Sequence, residues 1–146
     1  MSERLRNVWF VVQGEPKGKE RPRYSGKSRT MYKPTATKNY EKLIALTYKA
    51  KYGSRSFQQG EPLKISIWAF FGIPASDSAA KAMDKIRWKI RPTKKPDWDN
   101  IGKIVADALN GVAYHDDAQI VEALTRKYYS DNPRLEIMIG TAEKEE

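Results

Sequence analysis

The chain has 146 residues, with 27 Lys and Arg against 18 Asp and Glu, one His and no Cys. Without cysteine there is no disulfide scaffold, and with a single His no structural zinc site. No apolar run approaches the ~20 residues of a membrane span, and Glu3, Arg4 and Arg6 precede only a short strand-like run, so a soluble, cytoplasmic protein is expected.

Charge is unevenly spread. Residues 1–60 carry a net +10 and residues 61–96 a net +5, whereas residues 97–146 carry a net −6. Cations hold phosphates and carboxylates hold metals, so a basic majority beside an acidic cluster suits a protein that acts on nucleic acid. A basic protein whose acids merely cap helices has the same totals.

In chain order, Val8–Val12 is a largely apolar strand ending at Gly14. Pro16–Lys33 is rich in Gly, Pro and Ser and carries Lys17, Lys19, Arg21, Arg23, Lys27, Arg29 and Lys33, which fits a loop or irregular hairpin lying along DNA phosphates. From Thr35 to Tyr52 the spacing of Tyr40, Leu43, Ile44, Thr47 and Tyr48 predicts a helix capped by Thr35 or Thr37 and stopped at Gly53; Lys38, Lys42, Lys49 and Lys51 lie on its outer side. Leu63–Phe71 alternates and then becomes continuously apolar, as an internal strand does. Residues 76–90 form a predicted helix with Ser76 as its cap and Ala79, Ala80, Met83, Ile86 and Ile90 as its inner face. The connector Arg91–Lys95 is basic, with Lys94 and Lys95 placed to reach phosphates. A third helix spans 100–110, where Ile101, Ile104, Val105, Ala108 and Leu109 face inward and Asp99, Lys103 and Asp107 fall on the opposite stripe. Residues 119–129 and 134–140, joined by Ser-Asp-Asn-Pro, read as a hairpin of two strands, with a charged, frayed tail from Thr141. The expected fold is one α+β domain over residues 1–146, a mixed sheet of about four strands packed with helices.

Chemistry concentrates around the third helix. Asp97 and Asp99 precede it, two apart, which in an extended segment points both carboxylates to one face; Asp116 and Asp117 follow it. Two carboxylates ~4 Å apart repel by roughly 4 kcal/mol at an effective dielectric near 20. A shared proton, a lysine such as Lys103, or a divalent cation relieves that repulsion, and Mg²⁺ commonly takes one or two carboxylates and fills its other positions with water and phosphate. Each residue also has a purely structural role open to it. Asp99 suits an N-cap, Asp116 or Asp117 an Asx-turn, and Lys103 an i, i+4 partner of Asp99 or Asp107. His115 reads as an exposed turn residue, and the spacing excludes an EF-hand because Ile101 and Ala108 stand where that loop needs oxygen ligands.

The ordered run Lys95-Pro-Asp97-x-Asp99-Asn100-x-x-Lys103, Asp107-Ala-Leu-Asn-Gly111 and Asp116-Asp117-x-Gln119 closely resembles the RusA family of Holliday junction resolvases, in the form found in phages and prophages. The likeness extends to Pro16–Arg23 and Tyr32–Thr35, and so spans most of the chain. It implies a homodimer that resolves four-way DNA junctions by paired, Mg²⁺-dependent nicks, with Mn²⁺ a possible substitute. Position by position, Asp97, Asp99 and Asp117 match the family's metal-binding acids, Lys103 its active-site lysine, and Asp116 an adjacent acid. Trp98 stands between the two acids where related motifs often carry an aliphatic residue. Two other classes fit the same letters: a nuclease acting on flaps, forks or RNA, and a DNA-binding module without catalysis.

Overall fold

The computed structural model describes residues 5–144. It is a mixed sheet, β1 (Asn7–Gln13), β4 (Leu63–Phe71), β5 (Ile120–Tyr129) and β6 (Arg134–Thr141) in the order β1-β6-β4-β5, with a separate two-stranded ribbon of β2 (Arg23–Ser25) and β3 (Thr30–Tyr32). Helices α1 (Thr35–Tyr52) and α3 (Trp98–Leu109) pack on one face of the sheet and against each other, and α2 (Ala79–Ile86) sits beside β5. The α+β architecture expected from the sequence is the one observed.

Alternation sets the core. Val8, Phe10 and Val12 of β1, Leu63, Ile65, Ile67 and Ala69 of β4, and Leu135, Ile137 and Ile139 of β6 all point to the helix side and are buried. Tyr40, Ile44 and Tyr48 of α1 and Ile101, Ile104, Val105 and Leu109 of α3 meet them. Each such aliphatic side chain contributes roughly 1.5–3 kcal/mol by leaving water. Leu43, expected on the same stripe of α1, is exposed instead. No side chain caps α1: Pro34 holds the cap position, Thr35 is exposed, and Thr37 is buried in the first turn.

Two local expectations are overturned. The segment 119–140 is not a hairpin, because β5 pairs parallel with β4 while β6 pairs antiparallel with β4 on its other side. The short link 130–133 therefore steps across the end of β4, and Ser130 N–H donates to Phe71 O at 2.9 Å. A continuously apolar strand such as β4 gains more from a partner on each side than the half-exposed β5 and β6 gain from each other. The second predicted helix is shorter, begins after Ser78, whose Oγ accepts from Lys81 N–H at 3.2 Å, and is turned over. Met83 and Ile86 are 46% and 42% exposed, whereas Lys85 is 5% exposed. Lys85 pairs with Asp77 at 2.6 Å and lies over the Tyr129 ring, so a charge expected outside is neutralised inside. Helix periodicity counted apolar residues and could not register a cation with a carboxylate and an aromatic face waiting for it.

Thr141 closes β6, and its N–H donates to Arg6 O at 3.2 Å, so regular structure runs into the segment expected to fray. The sequence readings that involve residues 1–4, 145 and 146 lie outside the described residues. No helix among the described residues is long and apolar enough to cross a membrane.

Candidate active site

Helix α3 begins where the acids gather. Asp97 occupies its N-cap position with extended backbone, yet its carboxylate accepts no capping hydrogen bond, so the role proposed for Asp99 belongs by position to Asp97 and is not exercised. Asp99 lies in the first turn, where the helix dipole favours a carboxylate. Asp97 and Lys103 are exposed, and Asp99 is half-buried.

The loop Pro16–Pro22 covers this end of α3. Lys19 N–H donates to Asn100 O at 2.9 Å, and Gly18 lies so close to the helix that a Cβ there would meet Pro96 Cβ at 2.6 Å. Lys19 then reaches along α3, its Nζ 2.6 Å from Glu41 and 2.9 Å from Asp107, while Lys33 pairs with Glu41 at 2.8 Å. Burial pulls the Lys19 ammonium down, but Glu41 and Asp107 outweigh it, and its pKa is raised to about 12. Glu41 resists burial through Lys19 and Lys33 and is held below the usual carboxylate range. Lys19 and Lys33 thus spend their charge inside the protein. Lys17, Arg21, Lys27, Arg29, Lys94 and Lys95 are exposed; Lys27 and Arg29 sit at the turn of the β2–β3 ribbon, on whose first strand Arg23 lies.

After α3 the chain turns back through a short 3₁₀ segment, Asp117–Gln119, into β5. Asp116 caps it, its carboxylate accepting from Ala118 N–H at 3.0 Å, and Gln119 Oε1 accepts from the N–H groups of His115 and Asp116 at 3.1 and 3.2 Å. Gln119 Nε2 donates to the carbonyls of Gln58 and Glu61, tying the turn to the entry of β4. Asp117 N–H donates to Asn110 Oδ1 at 2.8 Å. The Asx-turn role falls to Asp116, which leaves the Asp117 carboxylate for other work. His115 is exposed, as expected.

Two adjoining cavities result. One, of about 400 Å³, is lined by Asp97, Asp99, Asn100 and Lys103 with Lys19 and Arg21 of the covering loop. The other, of about 310 Å³, lies between α3 and β5 and is lined by Trp98, Asp99, Lys103, Asp107 and Asp117 around an apolar floor. Asp99 and Lys103 form the shared wall; Asp97 opens to the first cavity, Asp117 to the second, and Asp116 to neither. Among the described residues no three acid or His side chains are drawn into a ready ligand set. Burial, then Asp116, then the charge of Asp107 push the Asp117 carboxyl up, while Asp116 is held down by the Ala118 N–H and by Asp117. Asp116 and Asp117 crowd each other at the turn, while Lys19 already offsets Asp107.

Sequence reasoning missed three participants. Asp107 pairs with Lys19 rather than with Lys103 and lies close enough to raise Asp117. Burial lowers the Lys127 ammonium against the opposing charge of Asp97, so Lys127 is a second cation beside that acid. Its Nζ donates to Lys94 O at 2.5 Å and Arg91 Nε donates to Lys127 O at 2.8 Å, which fastens the basic connector to β5. Glu41 organises the covering loop. The alternation of β5 was the available signal for Lys127, but its neighbours Lys94 and Asp97 come from the connector that the fold lays beside β5.

Asp97 and Asp99 at the helix start thus lie beneath the basic loop, and Asp117 of the turn lines the adjoining cavity. The model of the endodeoxyribonuclease RusA family matches residues 13–140, and the chain belongs to that family. It is 35% identical over 136 residues to the uncharacterized protein YqaN of Bacillus subtilis strain 168, covering 90% of this chain and 94% of that one. It is 33% identical over 109 residues to the crossover junction endodeoxyribonuclease rusA of Lactococcus phage r1t, covering 74% of this chain and 75% of that one.

Proposed function

We propose that this protein is a metal-dependent, structure-specific endodeoxyribonuclease that acts as a homodimer to resolve four-way DNA junctions by paired nicks. The observation that carries the reading is the shared wall of Asp99 and Lys103, which joins the cavity of Asp97 to that of Asp117 at the start of α3. Asp97, Asp99 and Asp117 are the residues that would hold Mg²⁺, or Mn²⁺ in its place, and Asp116 positions Asp117 by capping the turn. When bound, the metal supplies Lewis acidity and lowers the pKa of a coordinated water. Lys103 stabilises charge on the phosphate oxygens. Lys17, Arg21, Lys27, Arg29, Lys94 and Lys95 track the DNA backbone, and Lys19 and Lys33 hold the covering loop to α1 through Glu41. The cleaved strands carry 5′-phosphate and 3′-hydroxyl ends.

The test is to incubate mobile four-way junctions, matched linear duplex, flaps and RNA with Mg²⁺ or with EDTA. Symmetric paired nicks on the junction alone, dependent on metal, support the proposal. Cutting of every substrate makes the protein a general nuclease, and retention without cutting makes it a binding module.

A further inference from the structure

We propose that the groove between α3 and β5 receives one unpaired nucleobase of the bound strand, stacked on Trp98. The inference rests on the reading of the chain as a DNA endonuclease and adds a site for the substrate's base to the sites for its phosphates. Trp98 is the first residue of α3 and is 66% exposed. An indole largely open to solvent at a helix start is a platform: every base has a face that can stack on it.

The groove's shape suits a flat ligand. Ile65 and Ile67 of β4 lie buried beneath it, and its open walls are kept low by Gly102 and Ala106 on α3 and Ala123 on β5. A Cβ at Gly102 would stand 3.8 Å from Thr125 Oγ1, so a long side chain there would close the gap between the two walls. At about 310 Å³ the groove is a slot for a single ring system and too small for a paired duplex. Its rim fixes the ligand class. Lys103 lines the same slot with the acids Asp99, Asp107 and Asp117, so a ligand with an apolar planar part and an adjoining phosphate meets the apolar wall and, through Lys103, the polar one at once. A nucleotide held there by its phosphate has its base directed to the apolar end. A base must leave its pair to enter, which unpaired bases at a branch point do at little cost.

The experiment is a double-mutant cycle on junction affinity, measured in EDTA so that nothing is cut. One arm replaces Trp98→Ala, and the other replaces the branch-point nucleotides with abasic sites. Either change alone is expected to weaken junction binding about tenfold, and both together no more than one, with linear duplex affinity unaffected. Trp98→Phe restores the sensitivity to abasic sites, and Gly102→Leu, which fills the slot while leaving Trp98 in place, abolishes it. Independent, additive losses, or equal losses on junction and duplex, overturn the proposal. A wild-type protein with no preference for junction over duplex would instead overturn the resolvase reading. The same cycle on a single-stranded oligonucleotide carrying one abasic position then decides base capture on its own.

Discussion

Asp97 is the residue on which site chemistry and folding are most cleanly separable. Its carboxylate is exposed and makes no capping hydrogen bond, so removing its charge leaves the start of α3 intact. Asp97→Asn is expected to abolish metal-dependent cleavage, unfold at the wild-type denaturant midpoint and bind junctions at least as tightly, because a negative charge beside the phosphates is gone. Unfolding together with loss of binding would make Asp97 structural. Glu41 is the opposite case, since it is exposed to neither substrate nor metal in this reading and holds two lysines. Its folded pKa lies below the 4.5 of a free glutamate, so its contribution to stability is present above that pH and is lost as pH falls through the lower folded value. Lys19, raised from 10.5 to about 12, contributes fully below 10.5 and loses its share only as pH rises through about 12. Glu41→Gln is therefore expected to cost on the order of 1 kcal/mol near neutrality and to flatten the acid side of the stability profile, as read from denaturant midpoints between about pH 3 and pH 7. That Asp97, Asp99, Asp116 and Asp117 flank α3 was legible from their order along the chain, whereas the choice of Asp116 over Asp117 as the cap was not. Glu41 and Lys127 were not, because their partners Lys19, Lys33 and Asp97 come from segments that only the fold brings near.

At the scale of elements, the sequence showed which stretches are strands and helices more reliably than what they pair with. β1, α1, β4 and α3 fall where periodicity puts them, because each buries an apolar stripe in the same core. α2 and the β5–β6 pair do not follow. Lys85 is buried by Asp77 and Tyr129, and β4 intervenes between β5 and β6, neither of which hydrophobic spacing encodes. The covering loop gives a sharp prediction of its own. Gly18→Val puts atoms where Pro96 Cβ stands 2.6 Å and Asn100 Cβ 3.1 Å from the new Cβ. It is expected to cost about 1–3 kcal/mol and to lower cleavage by lifting the loop from α3. Gly26→Ala on the β2–β3 ribbon meets nothing within 4 Å and serves as the control with both properties unchanged.

For the whole molecule the net charge of +9 makes salt the natural probe. Neutralising Lys27 and Arg29 together on the exposed ribbon should reduce the slope of log affinity against log salt by roughly 2, with the preference for junction over duplex retained. An unchanged slope would place the ribbon off the DNA. The parallel pairing of β4 with β5 also decides when the proposed site is complete. Asp99 and Asp117 line one cavity only once Leu63 has met Ile120 and the intervening connection has closed over the sheet. A ribosome-bound or truncated chain that has not yet delivered β5 owns a basic surface and half of an acid set. Under the proposed function such a product binds nucleic acid through its cations and does not cut it, because Asp117 is not yet beside Asp99.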